Sequence, residues 1–251
     1  MEAQMDFKRM ILDKKFFLAA ALALAGILIG TSWPDLKWSA EKPSPLSCGT
    51  FLSALEHALK SRTVLYLIPI TATLPWGDAY LREQQRHFLR LLIVRCKKRD
   101  YCRGRALSTA LSGALVWVTA MLLSLLLFFL FLYGREELWQ YPKEAVENLL
   151  STAGKICLTA SALSSFGAFA GTVSGSSYLA LGLPFILYCF GIILRERYLD
   201  FLYYIDPSEW ILAKNDWGRG QYALWIFLLL LSLGMALLHL AALERKVETQ
   251  L

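Results

Sequence analysis

The chain has 251 residues, 56% of them hydrophobic, with a mean hydropathy of +0.44 and a formal net charge of +6. Soluble domains run at about 45–50% apolar, so the composition excludes an ordinary soluble domain, and several apolar runs approach the roughly 20 residues that cross a bilayer. The positive charge comes with no nucleic-acid fold signature and gathers in one inter-helix stretch, which excludes nucleic acid as the expected partner.

In chain order, the residues predict an all-α polytopic membrane protein forming a single transmembrane domain over residues 1–251, with six transmembrane helices. Lys14 and Lys15 precede FFLAAALALAGILIG. No small-residue cleavage site follows clearly and more spans come later, so this segment is read as an uncleaved first span over about 16–33, carrying Gly26 and Gly30 four apart. Residues 51–60, FLSALEHALK, have apolar residues at helical spacing and predict a helix leading into the second span. That second span, about 62–79, is interrupted by Pro69 and Pro75; its apolar core is shorter than a bilayer and needs help from neighbours. The third span, about 106–133, is long enough to tilt. The fourth covers about 149–173, the fifth about 178–194 with Pro184, and the sixth about 222–243. Between the last two, YLDFLYYIDPSEWIL at 198–212 is aromatic and amphipathic with a turn at Asp206-Pro207, as expected of an interfacial or re-entrant segment.

Residues 80–105, YLREQQRHFLRLLIVRCKKRDYCRGR, hold nine of the 26 basic residues against two acidic ones. Counting Lys and Arg with this stretch inside gives 15 on one side and 11 on the other, so both termini are expected to be cytoplasmic. On a helix, Leu81, Gln84, Gln85, Phe88, Leu91 and Leu92 form one stripe, flanked by Arg82, Arg86 and Arg90. Two readings follow: an amphipathic anchor on an anionic leaflet, or a helix that receives force from a soluble partner.

Other features carry their own alternatives. Gly167, Gly171 and Gly175, four apart, let helix backbones approach closely, either within one subunit or as a helix lining or gating a pathway. Lys155 is an ionisable residue in a span and so a possible pathway residue, although its stem can also snorkel outward. The five cysteines and three histidines show no metal-ligand spacing. Ser174 and His239 are similar to the Ser–His pair of rhomboid-type intramembrane proteases, but that motif requires glycine at 172, where this chain has Thr172.

The stretch from Leu65 to about Ala120 resembles the type-2 permeases of ATP-binding-cassette (ABC) transporters. The matching residues are Glu83 near the start of the cytoplasmic helix, Arg95 and Arg99 in the basic turn, then Tyr101 and Arg105 opening the third span, followed by ALSTALSGALVWVTAML. The fifth span with its proline, LALGLPFILYCFGIIL, and the segment after it are also similar to members of that family. One departure is His87, where many members have a small residue.

The resemblance implies a membrane-spanning subunit of an exporter, not itself an enzyme, in a prokaryotic plasma membrane. It implies a second permease copy or a related permease, and two soluble ATPase subunits that would hold ATP and magnesium. No phosphate loop occurs in this chain. Arg82, Glu83, Arg86, Phe88, Arg90 and Arg95 are then the expected coupling residues, and the expected substrate is lipid-like or amphipathic, such as an antimicrobial peptide. The alternatives are a non-transporting, immunity-type membrane partner and, more remotely, the protease.

Overall fold

The structure, a computed structural model, describes residues 2–31, 50–85, 98–132, 143–198, 203–215, 217 and 222–249. The long elements are α1 (Glu2–Leu12), α2 (Lys14–Gly30), α3 (Thr50–Leu59), α4 (Arg62–Thr73), α5 (Ala79–Gln85), α6 (Lys98–Leu132), α7 (Lys143–Ser174) and α8 (Ser177–Arg197). A 3₁₀ turn (Tyr203–Ile205), the single helical turn α9 (Glu209–Leu212) and the long α10 (Tyr222–Thr249) follow, and no strand occurs among the described residues.

Among the described residues, four helices are long and apolar enough to cross a membrane: α6, α7, α8 and α10. The helix α2 has 17 residues and α4 only 12. At about 1.5 Å per residue, α4 falls well short of a hydrocarbon core of about 30 Å. It runs through Pro69 and stops at Thr73; Leu74–Asp78, with Pro75, form a turn that leads into α5. The predicted second span is therefore a broken element. The third begins earlier than its apolar run, because the helix extends back through the charged residues 98–105.

The helix α7 is the hub. Of its most apolar 18-residue window 61% is buried, against 33% in α6, 28% in α8 and 17% in α10. It packs against α3, α4, α6, α8 and α10, and its sequence explains how one helix accommodates so many. Its buried positions are mainly Gly, Ala, Ser and Thr, and with no hydrophobic driving force in lipid such residues associate helices by close approach and hydrogen bonds. A Cβ on Gly113 of α6 would lie 2.5 Å from the Ala160 carbonyl of α7, and one on Gly167 would lie 2.6 Å from the Ala180 carbonyl of α8. The Trp225 ring of α10 sits over Gly154. Ser112 and Ser164 share a hydrogen bond of 3.0 Å, Ser164 donates to the Thr109 carbonyl at 2.8 Å, and Ser232 of α10 donates to Ser161 at 3.1 Å.

The same device seats α2. A Cβ on Gly26 would strike Leu67 of α4, and one on Gly30 would strike Ser61, the N-cap whose hydroxyl accepts from Val64 N. The helix α3 buries Leu52, Leu55, Ala58 and Leu59, with Phe51 edge-on to Phe129 at 5.7 Å.

The chain beyond α8 folds back on it. Pro207 and the Ile205 carbonyl occupy the notch at Gly191. Asp206 and Glu209, both almost fully buried, face Arg195 at 3.3 and 3.7 Å. Asp206 also accepts from Ser208 N, which makes the Asp206-Pro207 turn a side-chain-capped one.

Close approach at α7 yields a matched pair of substitutions. Gly113→Ala is expected to lower stability by about 1–3 kcal/mol through overpacking. Gly234→Ala, where an added Cβ meets nothing within 4 Å, is expected to be neutral or stabilising by up to about 1 kcal/mol. Thermal unfolding of both variants in one detergent measures the difference.

Candidate functional site

The turn after α4 and the first turns of α5 put acidic and basic residues side by side. Arg82 reaches back one turn to Asp78, Nε to Oδ1 at 3.2 Å, and its Nη1 donates to Asp13 at 3.0 Å. Lys15 donates to the other oxygen of Asp78 at 2.6 Å. Asp13 is also the N-cap of α2, accepting from Lys15 N at 3.1 Å. Two carboxylates and two cations thus tie the α1–α2 junction to the start of α5.

Next to this group, Glu83 carries a second one. Its Oε2 accepts from the Tyr101 hydroxyl at 2.9 Å and pairs with Arg105 Nη2. Arg105 is 1% exposed, and Asp6 of α1 lies 3.8 Å from its Nη1. Trp76 stands between the groups, its ring centre 5.0 Å from the Arg105 guanidinium carbon and 5.9 Å from that of Arg82. A cation over an indole face gains about 0.5–2 kcal/mol, more when desolvated. The Tyr101 ring lies 5.8 Å from Arg105.

Apolar packing fixes both groups. Met10, Trp76 and Ala79 form a small core with Phe7, Ile11 and Leu115. Tyr80, Leu81, Tyr101 and Cys102 form another with Leu240, Leu243 and Val247 of α10. Burial first, and then neighbouring Cys102, push the Tyr80 phenol up to about 12, so it stays protonated at physiological pH.

The structure therefore brings together Glu83, Tyr101 and Arg105, three residues of the sequence resemblance, and adds Arg82 beside them. Arg86, Phe88, Arg90 and Arg95 lie outside the described residues. The segment 80–105 is helical through Gln85 and helical again from Lys98.

Gly167 and Gly171 sit at the crossing of α7 with α8. A Cβ at Gly171 would meet Ala180 at 2.7 Å and Leu81 of α5 at 3.3 Å. Gly175 differs: it takes φ +72° just past the end of α7 with open space around it, as a helix-terminating glycine does. Lys155 is 5% exposed, under α3, within electrostatic reach of Lys60 and Glu56.

Asp6, Asp13, Trp76 and Asp78 were not singled out by the sequence, and Lys15 was noted only as flanking the first apolar run. The one local signal was Asp78 four residues before Arg82, the spacing of a helical ion pair.

The arrangement is a joint in the structural sense: ion pairs and hydrogen bonds hold α1, α2, α5 and α6 together at one end of the bundle. Among the described residues no group of His, Cys, Asp and Glu is placed to hold a metal. The Ser174 hydroxyl donates to the Ala170 carbonyl at 2.7 Å, and among the described residues neither ring nitrogen of buried His239 has a hydrogen-bond partner, so the two do not form a nucleophile–base pair here. No family model matches the chain, and no curated protein or solved structure matches it.

Removing one partner of a buried ion pair costs about 3–5 kcal/mol, because a charge is left uncompensated. Arg105→Met is expected to fall in that range. Tyr101→Phe, losing one hydrogen bond, is expected to cost about 1 kcal/mol. Chemical denaturation in detergent separates the two; equal effects would show that Arg105 is not the centre of the joint.

Proposed function

We propose that the chain is the membrane-spanning subunit of an ATP-driven exporter of the type-2 ABC kind, working with a second permease copy or a related permease and two soluble ATPase subunits. In this reading α2 and α4, the latter extended by the turn that follows it, join the four longer helices to make six crossings. Both termini face the cytoplasm of a prokaryotic cell, and the cytoplasmic segment 80–105, which includes α5, docks on the ATPase.

The observation that supports this most directly is the Glu83–Tyr101–Arg105 joint. A docking segment transmits force only if it cannot swivel against the spans. The joint ties the helix leaving the second crossing to the foot of the third, with Asp6 of α1 alongside. Leu81, beside Arg82, would touch a Cβ at Gly171, so displacement of α5 is felt where α7 crosses α8. Closure of the ATPases on ATP and magnesium would then shift α5 and rearrange the crossings in alternating access. The substrate class that fits the apolar, aromatic spans is lipid-like or amphipathic, such as an antimicrobial peptide.

The test is a mild-detergent pull-down of the tagged chain from its native membrane, with mass spectrometry and an ATPase assay. A stoichiometric soluble subunit bearing a phosphate loop is expected. Glu83→Gln is expected to reduce substrate-stimulated hydrolysis about tenfold, within the range of about 1–3 kcal/mol typical of coupling between sites. A chain that emerges alone and inert would overturn the reading in favour of a non-transporting membrane partner.

A further inference from the structure

Residues 203–215, which follow α8, satisfy their backbone from within. Asp206 N donates to the Tyr203 carbonyl, Glu209 N to that of Asp206, Ile211 N and Leu212 N to that of Ser208, and Ala213 N to that of Glu209. Ser208 N donates to Asp206 Oδ1 at 2.8 Å, and Lys214 N and Asn215 N donate to Glu209 Oε2 at 3.0 and 3.2 Å. That last pair braces Ala213, whose φ of +48° is strained for a residue with a Cβ. The Trp210 indole donates to the Tyr204 carbonyl at 2.9 Å. Each of these bonds closes inside the stretch, so none breaks when it moves as one body.

The contacts that cross to α8 are side-chain contacts of another kind. Arg195 Nη1 donates to Asp206 Oδ2 at 3.3 Å and lies 3.7 Å from Glu209 Oε1. Pro207 and the Ile205 carbonyl enter the notch at Gly191, where a Cβ would stand 3.0 Å from that carbonyl. Ile211, fully buried, joins the main core with Tyr188 and Ile192 of α8 and Ile156 of α7. On the opposite flank the Trp210 ring meets Phe227 of α10 at 5.8 Å, an apolar contact with no hydrogen bond to lose. Departure from α8 returns Arg195, Asp206 and Glu209 to water together, so no single charge is left buried without its partner. A stretch bonded completely within itself and sparsely across is the kind that opens locally, below the free energy of global unfolding.

We propose that residues 203–215 form a strap that undocks from α8 as one body while its aromatic flank stays seated on α10. Undocking uncovers the notch at Gly191 and the place of Ile211 in the core. Arg195 is the clasp, and Gly191 is the seat that lets the strap lie flat. The opening lies at the far end of α8 from Ala180, which packs on Gly167 and Gly171 of α7. One helix therefore carries the strap at one end and the glycine crossing at the other. The strap requires no ATPase, so the pull-down described above bears on transport and leaves this inference untouched.

The test is hydrogen–deuterium exchange on the full chain in mild detergent, read by mass spectrometry on peptides from 203–215, α7 and α10. The strap peptides are expected to exchange together, at least about tenfold faster than those of α7. Two substitutions on α8 leave the strap's own bonds in place: Arg195→Gln removes the clasp, and Gly191→Ala crowds the seat. Each is expected to speed exchange across 203–215 by about tenfold, a factor equal to about 1.4 kcal/mol, while the α7 and α10 peptides and the unfolding temperature stay unchanged. Gly182→Ala on the same helix, where an added Cβ meets nothing within 4 Å, is expected to change nothing. If Arg195→Gln does not fold, Gly191→Ala decides. Strap exchange as slow as that of α7, or a substitution that speeds the strap and α7 alike, would overturn the proposal, because the strap would then open only with the whole bundle.

Discussion

A guanidinium withdrawn almost wholly from solvent sets the terms for one end of this molecule. Arg105 cannot shed its charge, and moving such an ion into a low-dielectric interior costs several kcal/mol even after relaxation. Its surroundings must repay that cost. Glu83 supplies a carboxylate, Tyr101 a hydroxyl that orients it, Trp76 a π face, and Asp6 a second negative charge. Each comes from a different stretch of chain, so compensating one side chain fixes α1, the α4–α5 turn and α5 against the foot of α6.

The other organising feature is the modest size of the side chains along α7. Close helix approach at Gly113, Gly154 and Gly167 joins α6, α10 and α8 to a common hub. The two features meet at Leu81, which belongs to the charged end through α5 and abuts Gly171 of α7. In the function proposed above, this contact would carry a push on α5 to the crossing of α7 with α8. Packed interfaces of this sort shift between discrete arrangements rather than deforming continuously.

Much of the helical layout was legible because apolar runs of adequate length have few alternatives in a bilayer. As far as the residues are described, the runs at 106–132, 149–173, 178–194 and 222–243 each lie on a helix that extends past them at one or both ends. Helices continue into charged residues as long as the backbone bonds hold, and hydropathy does not see that. The second crossing was harder. Pro69 is tolerated within α4, whereas Pro75 falls in the turn that ends it, and the sequence flagged both alike. Residues 1–15 hold four basic residues, and nothing in the sequence analysis assigned them a packing role, yet Phe7, Met10 and Ile11 at helical spacing seat α1 on Trp76 and Ala79. At the site, Glu83, Tyr101 and Arg105 could be named together only through a resemblance, since residues 18 and 22 apart carry no local pairing signal. Asp6 and Asp13 are still more remote from their partners, and nothing short of the fold associates them. Burial of Asp206 and Glu209 against Arg195 was hidden for the same reason: the segment read as interfacial by its aromatics.

The central claim is that Glu83 and Arg105 act as one unit. A double-mutant cycle measures it: Glu83→Gln, Arg105→Gln and the double variant, each unfolded in the same detergent. The account predicts that the double variant costs much less than the two single variants together, with a coupling of about 1–3 kcal/mol. Additive losses would mean that the two charges are stabilised independently, and the joint on which the account rests would not exist.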